Sequence, residues 1–268
     1  MTMRWSYHTH TTWSDGEATP AAMLAEAGRT GLAEIGFSDH LTLHPSFPSV
    51  NWSLAEDELG PYVGEVLALA AAAPPSGPAV RLGLEADYVP ASVGRLRTLL
   101  AAHPFDYVIG SVHFVGDFPV DAEASRWEAL SPGRRDETWA AYWRAVAEMA
   151  GTRLFDIAGH LDLPKKFGHR PSADLTAARD AALDALAVAG MTIELNTSGW
   201  SYPAAEAYPA PAILRSARER DIPVVVTADA HRPAHLSRDF DRASRCLREA
   251  GYDSVVRFRG RRWSAEPL

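Results

Sequence analysis

The chain has 268 residues, of which 47% are hydrophobic and 22% are charged, and its formal net charge is −8. This composition excludes a disordered or fibrous chain. The acidic charge comes without a basic stripe, which argues against a nucleic-acid partner, and the longest apolar run, residues 66–73, is far shorter than the roughly 20 residues of a membrane span. The single cysteine, Cys246, excludes an internal disulfide and a cysteine-based zinc site. Because the first histidines follow the N-terminus too closely for a signal peptide, we expect a cytoplasmic protein.

Short apolar runs alternate with longer helical stretches, and this pattern predicts an α/β fold with parallel strands. Seven strands are predicted, over residues 5–8, 34–37, 80–84, 107–111, 155–158, 192–195 and 224–227. Seven helices are predicted, over residues 20–29, 61–73, 91–102, 136–150, 175–189, 211–220 and 239–250. Thr19 is a suitable cap for the first helix, and Gly190 and Gly251 are suitable stops for the fifth and seventh. Residues 254–258 are predicted to form either an eighth strand or an appendage at the edge.

Three irregular stretches, residues 41–52, 114–134 and 199–209, are longer than usual connections. Each follows a predicted strand, and long loops in compact domains tend to be functional. The proline-rich segment 74–78 looks like a linker, but it lies between a predicted helix and a predicted strand and therefore serves better as a loop. We expect one domain over residues 1–268.

Polar or metal-binding side chains follow each of the seven predicted strands. In chain order they are His8, His10 and Asp15; Asp39 and His40; Glu85 and Asp87; His113; His160 and Asp162; Asn196; and Asp229 and His231. The C-terminal ends of the strands in a parallel barrel share one face, which carries the active site. The sequence therefore predicts that these groups meet in one site, rather than being scattered histidines that are each satisfied separately.

The chemistry of this set indicates which metals it would bind. Imidazole and carboxylate ligands without thiolate favour zinc, manganese or iron. The set is larger than one ion can use, so two or three divalent ions bridged by a carboxylate are expected. Such clusters suit phosphoester hydrolysis, because closely spaced ions bind both the attacking hydroxide and the phosphoryl oxygens.

With these residues in place, the chain resembles the PHP (polymerase and histidinol phosphatase) family over nearly its full length. The matching motifs are His8-Thr9-His10, Ser38-Asp39-His40, Glu85 in Gly83-Leu-Glu-Ala-Asp, His113 in Gly110-Ser-Val-His, His160 in Gly159-His-Leu-Asp, and Asp229-Ala-His231. The resemblance implies a distorted (β/α)7 TIM-like barrel with the metal site at the C-terminal ends of the strands. The ligand sets that it implies are His8, His10, Glu85 and Asp229 for one ion; Glu85, His113 and His160 for a second; and Asp15, His40 and His231 for a third. Glu85 would bridge two ions, Asp39 would orient a ligand or accept a proton, and the catalytic candidates are therefore Asp39, Glu85 and His231.

The chain departs from the family pattern at two places. Many histidinol phosphatases have a histidine one residue after the position of Asp15, and the carboxylate here is expected to loosen or replace the third ion. Trp200 lies where a basic residue for the phosphate is expected. The candidates for that cation are Lys165 and Lys166, which are the chain's two lysines, and Arg232, with a solvated lysine pair as the alternative. The candidates for contacting the amine and ring of the substrate are Glu17, Asp87, Glu206, Trp13, Trp52, Trp200 and Tyr202.

The phrase Gly159-His-Leu-Asp-Leu-Pro-Lys-Lys-Phe resembles the stand-alone histidinol-phosphate phosphatases of the family. This resemblance implies hydrolysis of L-histidinol phosphate to L-histidinol and phosphate in histidine biosynthesis, by attack of a hydroxide that bridges the ions. The expected partner is this small substrate, and the chain is expected to be a monomer or a small homo-oligomer. Three alternatives stay open: a PHP phosphoesterase for nucleotides or other phosphomonoesters, an amidohydrolase, which would usually have a bridging lysine after the fourth strand, and a non-catalytic metal-binding domain.

Overall fold

The computed structural model describes residues 3–268. Its helices are α1 (Pro20–Arg29), α2 (Leu59–Ala72), α3 (Val93–Ala101), α4 (Ala124–Glu128), α5 (Pro132–Gly151), α6 (Thr176–Ala189), α7 (Pro211–Arg218) and α8 (Phe240–Glu249). Its strands are β1 (Trp5–Ser6), β2 (Glu34–Phe37), β3 (His40–Leu41), β4 (Ala79–Leu82), β5 (Glu85–Asp87), β6 (Ile109–Ser111), β7 (Phe114–Val115), β8 (Phe118–Pro119), β9 (Ile157–Ala158), β10 (Thr192–Asn196), β11 (Val224–Thr227), β12 (Ser254–Arg259) and β13 (Arg262–Pro267).

Nine of these strands form two parallel sheets, with the orders β1-β2-β4 and β11-β10-β9-β6-β5-β3. The sheets meet where Thr9, just after β1, forms a parallel bridge with Ala230, just after β11. The amide of His10 donates to the carbonyl of Ala230 over 2.9 Å, and the amide of Ala230 donates to the carbonyl of His8 over 3.0 Å. The prediction of an α/β fold with parallel strands in a distorted, barrel-like order is confirmed.

All seven predicted strands are present, but two of them are interrupted. The strands predicted at 34–37 and 80–84 form β2 and β4, and after a two-residue break the chain continues in the other sheet as β3 and β5. Two glycines make room for the ring of Tyr107 at this crossing. A Cβ atom on Gly36 or on Gly83 would lie only 2.2 Å from that ring or its hydroxyl. The crossing therefore depends on two residues that have no side chain.

The predicted helices are present with small shifts at their ends. Thr19 caps α1, since its hydroxyl accepts from the amide of Ala22 over 3.3 Å, and Gly190 follows α6 in the left-handed region at φ 71°. The helix predicted at 136–150 begins earlier, at Pro132, because the hydroxyl of Ser131 caps it. None of the helices between residues 3 and 268 has the combination of length and apolarity that crossing a bilayer requires.

Two predictions about irregular regions need correction or refinement. Residues 114–134 are not a plain loop, because they contain the β7–β8 hairpin and α4, which is anchored by the buried ring of Trp127. Residues 254–258 belong to β12, which pairs antiparallel with β13 outside the parallel sheets. Of the two predictions for that segment, the edge appendage is the one observed.

Candidate metal centre

The predicted metal ligands lie at the C-terminal ends of the parallel strands. They are His8 and His10 after β1, His113 after β6, His160 after β9, and Asp229 and His231 after β11, with Asp15 on the loop that follows His10. His40 and Glu85 lie beyond the ends of β2 and β4 and are the first residues of β3 and β5. Although β1 itself ends at Ser6, the bridge through Thr9 keeps the following segment extended. His8 and His10 therefore point to the same side, with ring centroids 5.0 Å apart.

Glu85 lies in the middle of this cluster and is almost completely buried. One carboxylate oxygen, Oε2, is 3.0 Å from Nε2 of His8 and 2.7 Å from Nδ1 of His40. The other, Oε1, is 2.9 Å from Nε2 of His160 and 3.7 Å from Nε2 of His113. Glu85 thus faces imidazoles on both of its oxygens, as a bridging carboxylate would.

Asp229 faces a second part of the cluster. Its Oδ1 is 3.1 Å from Nε2 of His10 and 3.6 Å from Nδ1 of His231. The ring of His10 is stacked between the rings of His40 and His231, at centroid distances of 4.1 Å and 4.3 Å. This packing holds the His10 ring in place between the two halves of the site.

Asp15 lies at the open side of the same cluster. Its Oδ1 is 3.2 Å from Nε2 of His231 and 3.7 Å from Nε2 of His40. The side chains of Asp15 and His231 are each 33% exposed, whereas that of His40 is 10% exposed. The departure from the family pattern at residue 15 therefore still leaves a carboxylate beside two imidazoles.

The donor atoms of these residues fit bound metal ions. Four overlapping groups have ligand atoms that all lie within 4.8 Å of one another, namely His10, Asp15, His40 and His231; His8, Glu85 and His160; His8, His10 and Asp229; and His40, Glu85 and His113. Five buried side-chain atoms of the cluster make no hydrogen bond to residues 3–268, and three of them are Nε2 of His8, Nε2 of His10 and Oε2 of Glu85. Buried polar atoms without partners are costly, and a shared cation would satisfy all three.

The charges of the cluster suit cation binding. Burial by itself raises the pKa of Glu85, but the nearby His40 and His8 outweigh it and hold that pKa well below its ordinary value. Burial likewise opposes ionisation of Asp229, and His8 and His10 hold its pKa well below the ordinary value. Burial also lowers the pKa of His10 to about 3, with a further contribution from neighbouring imidazoles. The carboxylates are therefore ionised and His10 is neutral at pH 7. At His8, His113 and His231 neighbouring carboxylates outweigh burial and raise the pKa, so an ion would have to displace a proton from each of these three imidazoles.

Two buried carboxylates hold the outer nitrogens of the imidazoles. Nδ1 of His8 is 2.8 Å from Oε2 of Glu194, and Nδ1 of His113 is 2.5 Å from Oδ1 of Asp87. A carboxylate on one ring nitrogen fixes the tautomer that leaves the other nitrogen free for a metal. Sequence reasoning did not identify Glu194, although a charged residue inside an apolar strand was an available signal. Asp87 was predicted both as one of the polar groups at the strand ends and as a substrate contact.

Asp39 is fully buried behind the cluster and does not line its cavity. Its Oδ1 accepts from the amide of Thr11 over 2.7 Å and from the hydroxyl of Ser14 over 2.7 Å. It therefore anchors the loop that carries His10 and Asp15. This position fits the orienting role predicted for Asp39, without contact with a substrate.

A cavity of about 440 Å³ opens over the cluster. Lys166 lines it, with Nζ 3.1 Å from Oδ2 of Asp121 and 4.7 Å from the centre of the Tyr202 ring. Trp52 and Phe114 line another part of its wall, with their rings stacked at a centroid distance of 6.3 Å. Asp121 and Phe114 were not predicted as site residues, but both lie in the stretch 114–134 that sequence reasoning singled out as functional.

Lys165 does not reach the cavity, which corrects the prediction that either lysine could bind the phosphate. Its side chain is fully buried, with Nζ 2.9 Å from Oδ2 of Asp162 and 2.7 Å from the carbonyl of Ala207. Glu206, another predicted substrate contact, lies beside this lysine and pairs with Arg170 at 2.7 Å. Neither residue lines the cavity, and each instead binds a group on a neighbouring loop.

Four further predicted substrate contacts also lie away from the cavity wall. Arg232 and Glu17 form an ion pair with each other and are about half exposed. Trp200 packs under the guanidinium of Arg242, which lies 4.1 Å from the centre of its ring. Trp13, considered as an aromatic wall, donates from its indole to Glu65 over 2.7 Å and lies outside the cavity as well.

A comparison of the chain with models of protein families agrees with the order of the strands and with the cluster of histidines and carboxylates. Residues 6–198 match the PHP domain model. The chain belongs to the PHP family.

Relatives and solved structures narrow the comparison. The chain is 37% identical over 256 residues to a probable histidinol-phosphatase of Deinococcus radiodurans, covering 94% of this chain and 93% of the relative. It is 25% identical to a histidinol-phosphatase of Lactococcus lactis, covering 95% and 94%. The fold is similar to the crystal structure of the histidinol phosphate phosphatase of Lactococcus lactis in complex with zinc, L-histidinol and phosphate, with a TM-score of 0.79 at 23% identity over 97% and 98% of the two chains. It is also similar to the putative histidinol phosphatase of Listeria monocytogenes, with a TM-score of 0.77 at 21% identity over 89% and 99%.

Proposed function

We propose that the protein is a metal-dependent phosphomonoesterase that hydrolyses L-histidinol phosphate to L-histidinol and phosphate. The observation that carries the proposal is the convergence of imidazoles and carboxylates around Glu85, in a chain 37% identical to a probable histidinol-phosphatase over nearly its whole length. Membership of the PHP family supports the same reaction class.

The ligands proposed for the ions follow the donor atoms of the cluster. Glu85 would bridge, with His8, His10 and Asp229 on one side and His113 and His160 on the other, and a third position would use Asp15, His40 and His231. The close approach of Asp15 to two imidazoles supports the third position. We propose two or three ions of zinc, manganese or iron, because the set contains nitrogen and oxygen donors and no sulfur.

When bound, the ions lower the pKa of water and offset the charge of phosphoryl oxygens. The residues of the chain position the substrate. Lys166 is the lysine that lines the cavity, and its Nζ has donors left after its bond to Asp121. We therefore assign the phosphate contact to Lys166, with Asp121 beside it for the ammonium group of L-histidinol phosphate. The rings of Trp52, Phe114 and Tyr202 would enclose the imidazole.

The nearest competing proposal is a phosphoesterase for nucleotides or other phosphomonoesters. The acidic partner at the cavity favours the amine-bearing substrate, since Asp121 lies in the wall together with Lys166. An amidohydrolase is disfavoured, because the strand after which its bridging lysine would stand is followed here by His113, and the buried Nζ of Lys165 is engaged elsewhere.

We further propose that residues 1–268 form one domain and act on a small molecule in the cytoplasm, as a monomer or small homo-oligomer. Support for one domain comes from the main hydrophobic core, whose buried members range from Met3 to Val255.

The test is phosphate release by the zinc- or manganese-loaded protein from three substrates: L-histidinol phosphate, a nucleoside monophosphate and an aryl phosphate. We expect kcat/KM to be highest for L-histidinol phosphate. A kcat/KM no higher than that of the aryl ester would refute the substrate assignment. In parallel, Glu85→Gln should lower both metal content and activity, and full activity with normal metal content would refute the bridging role.

A further inference from the structure

A second concave site lies at the opposite end of the strands from the metal centre. Four arginines, Arg81, Arg257, Arg259 and Arg262, surround a cavity of about 320 Å³, which we call the basic hollow. Glu34 also lines it and is the first residue of β2, whereas His40 lies beyond the other end of that strand. The basic hollow is therefore separate from the cavity over the metal cluster.

The β12–β13 hairpin that forms one wall of the basic hollow is firmly anchored. The amide of Gly260 donates to Oδ1 of Asp106 over 2.8 Å, and the guanidinium of Arg261 donates to the carbonyl of Leu154 over 2.6 Å. Asp106 and Leu154 precede β6 and β9, so the hairpin tip is fixed across the beginnings of the strands. A ligand would meet a wall that is already in place, which reduces the entropy cost of binding.

The two inner arginines share one buried carboxylate. Nη2 of Arg81 is 2.5 Å from Oε2 of Glu34, and Nη2 of Arg257 is 3.1 Å from the same oxygen. The Nε atoms of both arginines are buried and make no hydrogen bond to residues 3–268. A ligand cannot reach these Nε atoms directly, but the side chains of Arg81 and Arg257 are 18% and 35% exposed and line the hollow, so their guanidinium groups can still meet an added anion.

The two outer arginines are also short of partners. Arg259 and Arg262 stand directly opposite each other in the register of the hairpin. Both are exposed, and neither forms an ion pair or side-chain hydrogen bond within the part of the chain that the structure describes. Like charges opposite each other on paired strands are destabilising. Besides Glu34, two carboxylates lie near this group. Glu266 is 3.3 Å from Nη1 of Arg257, and Asp106 accepts from the amide of Gly260 at the hairpin tip.

We propose that the basic hollow binds the diphosphate or triphosphate group of a small anion. Guanidinium groups bind phosphate oxygens through two parallel hydrogen bonds, and a bridging polyphosphate would relieve the repulsion between Arg259 and Arg262. Trp263 lines the hollow and is 47% exposed, so its ring offers a face for an aromatic base. The group can come from free pyrophosphate or from a nucleotide. The proposal stands independently of the function assigned to the metal centre.

The test compares two double variants that change the net charge equally. Arg259→Ser with Arg262→Ser removes the outer arginines, and Arg215→Ser with Arg248→Ser removes two exposed arginines on α7 and α8. Pyrophosphate and ATP are titrated calorimetrically into both metal-loaded variants and the unchanged protein. Both variants keep the metal centre, so binding there contributes equally and cancels. We expect the first pair to lose at least about tenfold in affinity at one site and the second pair to bind like the unchanged protein.

Hydrogen exchange locates the binding. Either ligand should protect peptides covering residues 254–267, and this protection should be absent in the Arg259→Ser, Arg262→Ser protein. If ATP binds more tightly than pyrophosphate and Trp263→Ala abolishes the difference, the ligand of the basic hollow is a nucleotide. If the two bind equally, the ligand is the free diphosphate. Equal affinities of the two double variants, or protection confined to the metal centre, would overturn the proposal.

Discussion

Glu194 provides a sharp test of how the metal centre is organised. It is fully buried on β10, and all four of its hydrogen bonds are to donors. Oε1 accepts from the amide of His160 over 2.5 Å and from Nδ2 of Asn196 over 3.0 Å. Oε2 is 2.8 Å from Nδ1 of His8 and accepts from the hydroxyl of Thr227 over 2.8 Å. The carboxylate therefore requires His8 to carry its proton on Nδ1, which leaves Nε2 for an ion.

The variant Glu194→Gln keeps the shape of this side chain but turns one oxygen into a donor. With its Oε1 facing the amide of His160, the new NH2 group would face Nδ1 of His8 and favour the tautomer protonated on Nε2. That tautomer cannot bind a metal through Nε2. Loss of such an outer partner typically costs about 10- to 100-fold in metal affinity or activity. We expect a loss in this range, roughly 1.4–2.8 kcal/mol at about 1.4 kcal/mol per factor of ten.

The assay is a competition titration of zinc against a chelator, together with kcat/KM for L-histidinol phosphate and the thermal midpoint of the metal-free protein. Glu65→Gln is the matched control, because Glu65 is a partly buried carboxylate that accepts from Trp13 and lies outside the cluster. A folded Glu194→Gln protein with zinc affinity and kcat/KM within about twofold of the control would refute the tautomer argument.

Three further predictions concern the cavity and the metals. Lys166→Met should raise KM for phosphomonoesters about tenfold with little change in thermal midpoint. Lys165→Met should instead lower the thermal midpoint, because it leaves buried Asp162 unpaired at a cost of about 3–5 kcal/mol. Steady-state kinetics and thermal unfolding of the two variants check this division, and similar midpoints would contradict it. Asp121→Asn should lower kcat/KM about tenfold for L-histidinol phosphate but not for an aryl phosphate, and Asp117→Asn on the exposed hairpin serves as the control. Equal losses of kcat/KM on both substrates would exclude a contact between Asp121 and the substrate ammonium group. Removing metal with a chelator should lower the thermal midpoint, because ions that bind only the folded state stabilise it by mass action. The midpoint is measured by calorimetry, and an unchanged midpoint would mean that the cluster holds no ion in the protein as purified.

The sequence by itself determined the fold class and predicted the histidines and carboxylates that meet in the candidate site, though not all of the residues around them. Alternation of short apolar runs with helical stretches depends on local periodicity, and the seven predicted strands are all present. Parallel strands bring their C-terminal ends to one face. For that reason, His8 and Asp229 could be assigned to one site although they are far apart in the chain. Nε2 of His8 lies 3.7 Å from Oδ1 of Asp229.

The tertiary structure decided which neighbours serve the site and which serve the scaffold. Lys165 and Lys166 are adjacent and chemically identical, yet one is buried against Asp162 and the other lines the cavity. They stand at the end of the short 3₁₀ turn Leu163–Lys165, which local sequence patterns do not specify, and their surroundings differ. Asp121 reaches the cavity only because the β7–β8 hairpin folds back beside the cluster. Such roles depend on side-chain direction and packing between distant segments, and these exist only once the chain has folded.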